Sequence, residues 1–142
     1  MVYDYRIKET GISVGKKHFK VPLEPNFEDK LGLEASIVRA MPNTPASVGR
    51  GITVYVSNNN VSKETAALCG NLLSAVGESI SIEDESLLDP VTAVSGSGPA
   101  YVFFLIEAMA AAGEKAGLPT DLAYRLAKAT VSGAGELAYL SE

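Results

Sequence analysis

The spacing of apolar residues separates an N-terminal segment, residues 1–35, from the rest of the chain. In residues 1–23 apolar and polar positions alternate, and Gly15-Lys16-Lys17 can form a turn, so two or three short strands in a meander are expected. Residues 24–35 are polar and are interrupted by proline and glycine, which predicts a loop or a single helical turn. We find no residue pattern in this segment that indicates a chemical function.

Residues 36–84 have the pattern of strands that alternate with a helix. A helix is expected to begin after Ser62, whose side chain can cap it, and to end near Gly77, because apolar residues recur between them at helical spacing. Cys69 falls on the apolar side of this helix, where a small core residue is expected. Three runs are predicted to be strands, the first of them mostly buried: 36–41, 52–57 and 79–82. The order strand–strand–helix–strand predicts the later half of an open α/β sheet.

Residues 85–142 contain helical patterns only, and the boundary with the α/β part is expected near residues 83–86. A short helix is predicted for 87–94 and a long, buried helix from Pro99 to about Ala116, which Gly117 and Pro119 end. Thr120 is expected to cap a last helix that runs to about residue 140. Small side chains predict close contact between the helices: Ala108, Ala110, Ala111, Ala112, Gly133, Ala134 and Gly135. The carboxylate of Glu107 either has a buried partner or points out of the buried helix.

The long helix is preceded by a loop that is a candidate ligand site, Ser95-Gly96-Ser97-Gly98. Ser97 or Gly98 can cap the helix, and free N–H groups at a helix N-terminus favour an anion nearby. The alternative is a connector whose small residues let helices pack closely. The loop lacks the Gly-Lys-Ser/Thr of a phosphate-binding loop, and it is not a dinucleotide fingerprint, because Tyr101 stands where the third glycine belongs.

A second candidate site follows the first strand of the α/β part, in Met41-Pro42-Asn43-Thr44-Pro45. Ligands of open α/β sheets bind beyond the carboxyl ends of strands. Asn43 and Thr44 offer hydrogen-bonding side chains there, on a loop that two prolines stiffen. An ordinary turn that begins a helix or loop at Pro45 is an equal alternative.

Composition and charge exclude several classes of function. The formal net charge of -5 argues against a nucleic-acid or anionic-membrane partner. The single cysteine allows no internal disulfide and no cysteine cluster for zinc, and His18 lies among lysines, where a surface position is expected. Glu83-Asp84-Glu85 indicates a solvated linker, so no metal site is predicted. The longest uncharged apolar run, residues 100–106, is too short to span a membrane. We therefore expect a cytoplasmic protein.

Several stretches together resemble the pyrroline-5-carboxylate reductase family. The matching stretches cover about residues 36–142, occur in the order and at the spacings of that family, and are specific only as a set. They are Val38-Arg39-Ala40-Met41-Pro42-Asn43-Thr44-Pro45, Gly51-Ile52-Thr53-Val54, Leu72-Leu73-Ser74-Ala75-Val76-Gly77, the run from Leu88 to Tyr101 that contains Ser95-Gly96-Ser97-Gly98-Pro99, and Ala116-Gly117-Leu118-Pro119.

The resemblance implies a fold of class α/β plus all-α. Residues 36–84 would be an incomplete Rossmann-type, NAD(P)-binding half, and residues 85–142 a truncated helical domain for substrate binding and dimerisation. The resemblance also implies an oxidoreductase of proline biosynthesis, in which NADPH or NADH delivers a hydride to the C=N carbon of 1-pyrroline-5-carboxylate and gives proline. The partners implied are this small molecule and a second subunit, in a homodimer or a higher homo-oligomer.

The resemblance assigns roles to both candidate loops and to one carboxylate. Met41, Pro42, Asn43 and Thr44 would lie beside the nicotinamide, and the loop Ser95, Gly96, Ser97 and Gly98 would lie on the substrate side. Glu142 matches a glutamate that approaches the ring nitrogen of the substrate in the family. A carboxylate there would favour the protonated, electrophilic iminium.

The chain departs from the family pattern at both ends. Residues 1–35 contain no glycine-rich turn for the pyrophosphate, and the sequence stops before the Ser-Pro-Gly-Gly-Thr-Thr-like loop that binds the substrate carboxylate in the family. A non-catalytic, truncated homologue that dimerises or binds a partner is therefore an alternative hypothesis. A third hypothesis is a hydroxy-acid dehydrogenase, which would need Lys115 or Lys128 as its catalytic lysine.

Overall fold

The computed structural model describes residues 6–8, 11–14, 17–20 and 31–141, and for the first three ranges it describes the backbone alone. The strands and helices are β1 (Arg6–Lys8), β2 (Gly11–Val14), β3 (Lys17–Lys20), β4 (Val38–Pro42), β5 (Gly51–Ser57), α1 (Lys63–Leu73), β6 (Gly77–Ile82), α2 (Leu88–Val91), α3 (Gly98–Lys115) and α4 (Thr120–Leu140). Short 3₁₀ turns occupy Thr44–Val48, Ser74–Val76 and Glu85–Leu87, and a π-turn occupies Thr92–Gly96.

The N-terminal strands form the expected meander. β1 pairs antiparallel with β2, and β2 pairs antiparallel with β3, so that Ile12 lies opposite Ile7 on one side and opposite Phe19 on the other. His18 lies within β3. The prediction that its side chain lies at the surface is not tested, because the structure describes only the backbone of β3.

The second sheet has the strand order β4-β5-β6. β4 runs antiparallel to β5, with Met41 opposite Val54, and β5 runs parallel to β6 through the α1 crossover. The predicted order strand–strand–helix–strand is confirmed. The prediction that the first strand is mostly buried is wrong, because β4 pairs with β5 alone among the described strands and its residues are half-buried or exposed.

The central strand β5 carries the core. On one face Val54 and Val56 form a buried cluster with Leu88, and Met41, Ile82 and Val91 pack against it. The opposite face carries Thr53 and Tyr55, both buried, and the Tyr55 ring reaches α1 at Gly70. This face contacts α1 closely because Gly70 has no side chain to hold the helix away.

The helix α1 begins at the predicted residue, but the face that packs on the sheet is not the predicted one. The Ser62 side chain accepts a hydrogen bond from the Thr65 N–H, which confirms the predicted cap. Leu68 is 58% exposed and Leu72 is 66% exposed, and Cys69 is half-buried, so the prediction of a buried apolar face that includes Cys69 is wrong. The helix contacts the sheet along Gly70, whose carbonyl accepts from the Ser79 hydroxyl, and the two leucines lie off this line of contact.

The junction between sheet and helices is a short acidic turn. The Asp84 carboxylate accepts hydrogen bonds from the Ser86 N–H and hydroxyl at 2.9 and 2.7 Å, and Glu85 pairs with the guanidinium of Arg39. No group of three potential metal ligands occurs in the part of the chain that the structure describes. The acidic residues therefore fix the chain direction between β6 and the helices.

We expect the Ser86→Ala substitution to raise the pKa of Asp84. The side-chain hydrogen bond from Ser86 and, next, its backbone hydrogen bond lower the pKa of this exposed carboxyl below its ordinary value. A lowered folded-state pKa adds stability above the unfolded-state pKa, and this stability is lost as the pH falls through the folded-state pKa. An NMR titration of the carboxyl carbon measures the shift. Ser74→Ala, which removes another exposed serine hydroxyl, serves as the control and should leave the Asp84 pKa where it is. A Ser86→Ala titration identical to that of the parent would contradict the role of the Ser86 hydrogen bonds.

The helices α3 and α4 form a closely packed pair. Ala110, Ala123 and Ala127 are buried between them, and a methyl group on Gly113 would lie 3.2 Å from the Ala123 Cβ. Gly117, at φ 100°, reverses the chain between the helices. Thr120 is the first residue of α4 and the cap position is Pro119, so the predicted threonine cap is wrong by one residue.

In a single chain most of α3 is exposed, so the prediction of a buried helix is wrong. Tyr101 is 65% exposed and Phe104 is 71% exposed, and Glu107 points outward from the same helix. The contact with α4 runs along a narrow stripe of small residues, so most of the circumference of α3 has no neighbour among the described residues. A large apolar surface therefore lies open on the helical part.

The apolar helix also bears on the prediction that the longest apolar run is too short to span a membrane. Helical structure continues from Glu85 to Lys115, because the residues before Pro99 are helical too, and this one helix of the described chain is long and apolar enough to cross a membrane by length and composition. The longest uncharged run, residues 100–106, is only a part of this helix. Core helices of other proteins meet the same criterion, so length and composition alone carry little weight.

Candidate functional site

The two candidate loops, which are some fifty positions apart in the sequence, line one cleft. This loop cleft has a volume of about 370 Å³ and lies between the turn after β4 and the start of α3. Its lining residues are Asn43, Pro45, Ile52, Val94, Ser95, Gly98, Pro99, Val102 and Phe103. The residue patterns identified the two loops separately, and only the roles implied by the family resemblance, beside the nicotinamide and on the substrate side, gave a reason to place them together.

The first wall of the loop cleft is fixed by Asn43. Its side-chain oxygen accepts a hydrogen bond from the Ile52 N–H at 2.9 Å, and its carbonyl accepts from the Ala46 N–H at 3.2 Å. Met41 points into the core, and Thr44 is exposed at the start of a 3₁₀ turn. The sequence left two roles open for the Asn43 side chain, a hydrogen bond to a ligand or an ordinary turn. Its oxygen instead ties the loop to β5, and only its NH₂ group has no protein partner in the described residues.

We expect the Asn43→Ala substitution to lower the free energy of unfolding by about 1–2 kcal/mol, because it leaves the Ile52 N–H without its acceptor. Asn43→Asp keeps an acceptor oxygen at the same place and should lose much less. Chemical denaturation measures both, and hydrogen exchange of the Ile52 amide should accelerate in the alanine variant alone. Equal losses in the two variants would show that the hydrogen bond does not hold the loop.

The second wall is a π-turn that continues into α3. The Ser97 N–H donates to the Thr92 carbonyl at 2.9 Å, and the Ala100 N–H donates to the Ser97 carbonyl at 3.0 Å. Ser97 occupies the N-cap position of α3 but makes no capping bond with its side chain, so the predicted side-chain cap is absent, and the binding of an anion by this loop stays a prediction. The backbone N–H groups of Ser97 and Ala100 are already bonded within the helix. Pro99 does lie in the first turn of α3, as predicted.

Hydroxyl groups in the π-turn bond to the helix itself. The Thr92 hydroxyl donates to the Leu88 carbonyl at 2.8 Å, and the Ser95 hydroxyl donates to the Val91 carbonyl at 3.0 Å. Such bonds compete with the regular helical pattern and bend helices. They favour the wide turn that places the Ser95–Gly98 segment beside β4.

Sequence reasoning missed the apolar part of the cleft. Pro99, Val102 and Phe103 lie at helical spacing and present one face of α3 to the cleft, while Val94 and Ile52 close its sides. The spacing of the three α3 residues was the available signal. This spacing did not identify a cleft, because the same spacing is expected for residues that pack against another helix.

The chemistry of the loop cleft is that of binding and orientation. Its described lining is mostly apolar and contains no ionisable side chain, and it includes Asn43, whose NH₂ group makes no hydrogen bond within the described residues. Glu142, the predicted contact of the substrate nitrogen, lies outside the described residues. Lys115 and Lys128 are exposed and do not line the cleft, so nothing in the described geometry favours the hydroxy-acid dehydrogenase hypothesis.

A second, wider cleft lies on the other side of Ile52. Its volume is about 860 Å³, and Arg50 crosses it to the end of α4. The Arg50 guanidinium lies 3.2 Å from the Glu136 carboxylate, and its Cζ atom lies 5.5 Å from the centre of the Tyr139 ring. The pair is half-exposed on both sides, so it connects sheet and helix with little expected stabilisation.

Comparison with families of known proteins gives a match to the helical part of the chain. Residues 85–142 match the family model described as "Pyrroline-5-carboxylate reductase dimerisation". Curated relatives extend the similarity toward the N-terminus. The pyrroline-5-carboxylate reductase of Pseudomonas aeruginosa is 47% identical over 117 residues, which are 82% of this chain and 43% of the relative. That of a Synechocystis species is 50% identical over 102 residues, 72% of this chain and 38% of the relative.

Solved structures agree with the sequence relatives. A pyrroline-5-carboxylate reductase from Coxiella burnetii superposes with a TM-score of 0.77 at 42% identity, over 83% of this chain and 44% of that one. The pyrroline carboxylate reductase of Plasmodium falciparum, solved with NADP bound, superposes with a TM-score of 0.74 at 38% identity, over 82% and 46% of the two chains. The predicted fold class is confirmed. The chain spans less than half the length of these relatives.

Proposed function

We propose a function on the premise that the chain belongs, through residues 36–142, to the pyrroline-5-carboxylate reductase family. The protein reduces 1-pyrroline-5-carboxylate to proline with NADPH or NADH, the last step of proline biosynthesis. One observation of the fold supports this most directly: the two loops that the resemblance assigns to the nicotinamide and to the substrate line the same cleft. The alternative, a non-catalytic interaction protein, is not favoured, because the curated relatives carry the reductase name.

The loop cleft suits one end of the proposed cofactor. When bound, NADPH or NADH supplies the hydride that adds to the C=N carbon. The apolar faces of Pro99, Val102 and Phe103 exclude water from the reacting carbon, which protects the hydride donor and strengthens nearby electrostatic interactions. The Asn43 NH₂ group is free to donate to a polar substituent of the ring, while the Asn43 oxygen keeps the loop on β5.

The substrate nitrogen must be protonated for the carbon to accept a hydride, and the proton stays on the nitrogen of proline. No ionisable side chain lines the described part of the loop cleft, so the walls themselves do not hold this proton. We assign the role to the carboxylate of Glu142, which would favour the positively charged iminium by its own negative charge.

Self-association is the second part of the proposal. The exposed apolar surface of α3 and α4 is the segment that matches the dimerisation model, and a second copy would cover it. We propose a homodimer or higher homo-oligomer, in the cytoplasm, that binds neither nucleic acid nor membranes. The net charge of -5 agrees with the first exclusion.

A binding experiment with two ligands tests the assignment of the cleft. NADPH fluorescence titration should show saturable binding to the protein. Asn43→Asp removes the NH₂ donor and keeps the acceptor for Ile52, so it should weaken NADPH about 5- to 10-fold, the value of one hydrogen bond. A matched ligand that lacks the nicotinamide ring, 2′-phospho-ADP-ribose, is the control, and its affinity should be the same for both proteins. No binding of NADPH by folded protein, or equal loss for both ligands, would contradict the proposal.

A further inference from the structure

The first wall of the loop cleft lies directly on the start of β5, at Gly51. A methyl group placed on Gly51 would lie 2.8 Å from the Ala46 Cα, 2.8 Å from its Cβ and 2.9 Å from its N. Carbon atoms in good contact are about 3.5–4.0 Å apart, and two of the three crowded atoms belong to the backbone, so no side-chain rotation can make room. The φ of Gly51 is not positive, so its backbone conformation suits alanine and only the lack of space excludes a side chain.

The residues that flank this contact line the loop cleft. On the turn, Pro45 precedes Ala46 and lines the cleft, and the Asn43 carbonyl accepts a hydrogen bond from the Ala46 N–H. On the strand, Ile52 follows Gly51, lines the cleft and donates its N–H to the Asn43 side chain. The approach of Gly51 to Ala46 therefore determines how the lining residues of the turn lie against the lining residue of the strand.

Neither partner of this contact has room to withdraw. The Arg50 N–H donates to the Pro45 carbonyl at 3.1 Å, and the Gly49 N–H donates to the Ala46 carbonyl at 3.1 Å, so the turn is bonded to the residues that lead into β5. Gly51 itself is paired with β6 in the parallel part of the sheet. An added methyl group would therefore have to lift the turn or move the strand, and either movement loosens the hydrogen bonds between them.

We propose that Gly51 is a positioning residue: its missing side chain lets the backbone of the Thr44–Val48 turn lie on β5, and this contact holds Asn43 and Pro45 beside Ile52 in the loop cleft. What the wall contacts in a ligand rests on the proposed function, whereas the contact within the protein does not. Gly51→Ala lifts the turn by about 1 Å, the difference between the present gap and an ordinary contact, and lengthens the hydrogen bond from Ile52 to Asn43.

Hydrogen exchange of single amides, followed by NMR, measures the seating of the wall. In Gly51→Ala the protection of the Ile52 amide, corrected for its new neighbour, should fall about 5- to 10-fold relative to that of Val54 in the same strand, the value of one hydrogen bond. Gly70→Ala is the matched control, because its methyl would lie 2.5 Å from the Tyr55 hydroxyl and crowds β5 from α1 instead. The ratio of Ile52 to Val54 protection should keep its parent value there.

A Gly51→Ala protein with the parent ratio overturns the inference, and so does an equal fall of the ratio in Gly70→Ala. If Gly51→Ala does not fold, Ala46→Gly/Gly51→Ala takes its place and is compared with Ala46→Gly alone. This double variant removes only the Cβ from the three crowded atoms, so the protection of Ile52 should still fall. Unchanged protection, or failure of the double variant to fold as well, overturns the positioning role.

Titration of the same proteins with NADPH keeps the two proposals apart. NADPH affinity that falls about 5- to 10-fold in Gly51→Ala and stays at the parent value in Gly70→Ala, with the affinity for 2′-phospho-ADP-ribose unchanged in both, supports the positioning role and the proposed function together. A parent that does not bind NADPH, while the protection of Ile52 follows the expected pattern, contradicts the proposed function and leaves the positioning role standing.

Discussion

Replacement of Gly77 by alanine is expected to lower the free energy of unfolding by about 4 kcal/mol, through backbone strain and overpacking together. Gly77 begins β6 with φ 145°, a conformation that favours glycine, and a methyl group there would lie 1.9 Å from the carbonyl oxygen of Gly51. Gly51 is its partner in the parallel pair of β5 and β6. Both atoms that would collide belong to strands, so neither can rotate away.

A matched substitution separates the two contributions. Gly117 has φ 100° and open space where its methyl would stand, so Gly117→Ala tests backbone strain without a collision and should cost about 1–2 kcal/mol. Denaturant titration with both variants gives the comparison. Equal losses would show that the Gly51–Gly77 approach does not matter for stability.

The Gly77 substitution also reaches the loop cleft. Ile52 follows Gly51 in β5, and its N–H is the group that holds the side chain of Asn43. A shift of β5 at this end would therefore release the first wall, and hydrogen exchange at Ile52 should rise in Gly77→Ala and stay at the parent rate in Gly117→Ala.

Phe104→Glu is expected to weaken self-association at least 100-fold. Phe104 is 71% exposed in one chain, and burial of a phenylalanine is worth about 1.5–3 kcal/mol, counted twice in a two-fold symmetric interface. A glutamate there would in addition bring two charges into the contact without partners. The fold of the single chain does not depend on this exposed ring, so the variant should remain folded.

Sedimentation velocity over a range of concentrations measures the effect. The parent should sediment as a dimer or larger species, and Phe104→Glu as a monomer. Asn71→Glu introduces the same charge on the exposed surface of α1 and should leave the assembly intact. A parent that is monomeric, or a Phe104→Glu protein that sediments like the parent, would contradict the proposed interface.

The sequence was informative where structure is decided locally. The Ser62 cap, the place of Pro99 at the start of α3 and the order of strands and helix in the α/β part all follow from neighbouring residues. Short-range hydrogen bonds and apolar periodicity determine these features, and both are visible in one stretch of chain.

Burial and the cleft depend on residues far apart in sequence. The leucines of α1 and the aromatic residues of α3 have the periodicity of core residues, yet small residues such as Gly70 and Ala123 make the contacts, and the large side chains stay outside. The π-turn arises because Thr92 and Ser95 bond to their own helix, a choice that serine and threonine patterns do not reveal.

Two further features of the fold bring the two loops close together. β4 runs antiparallel to β5, so the turn after β4 lies at the amino end of β5, and Gly96 allows the π-turn to touch Met41 there. Neither fact can be derived from the spacing within Met41–Pro45 or within Ser95–Gly98. Their resemblance to a reductase family indicated function, whereas the geometry came from the fold.

The proposed function requires that this protein transfer a hydride to a cyclic imine. The most direct test incubates the purified protein with NADPH and 1-pyrroline-5-carboxylate, follows the loss of NADPH absorbance and quantifies proline in the same samples. We predict NADPH loss that requires both protein and imine, with proline formed in equal amount. Folded, self-associated protein that oxidises no NADPH and forms no proline would contradict the account.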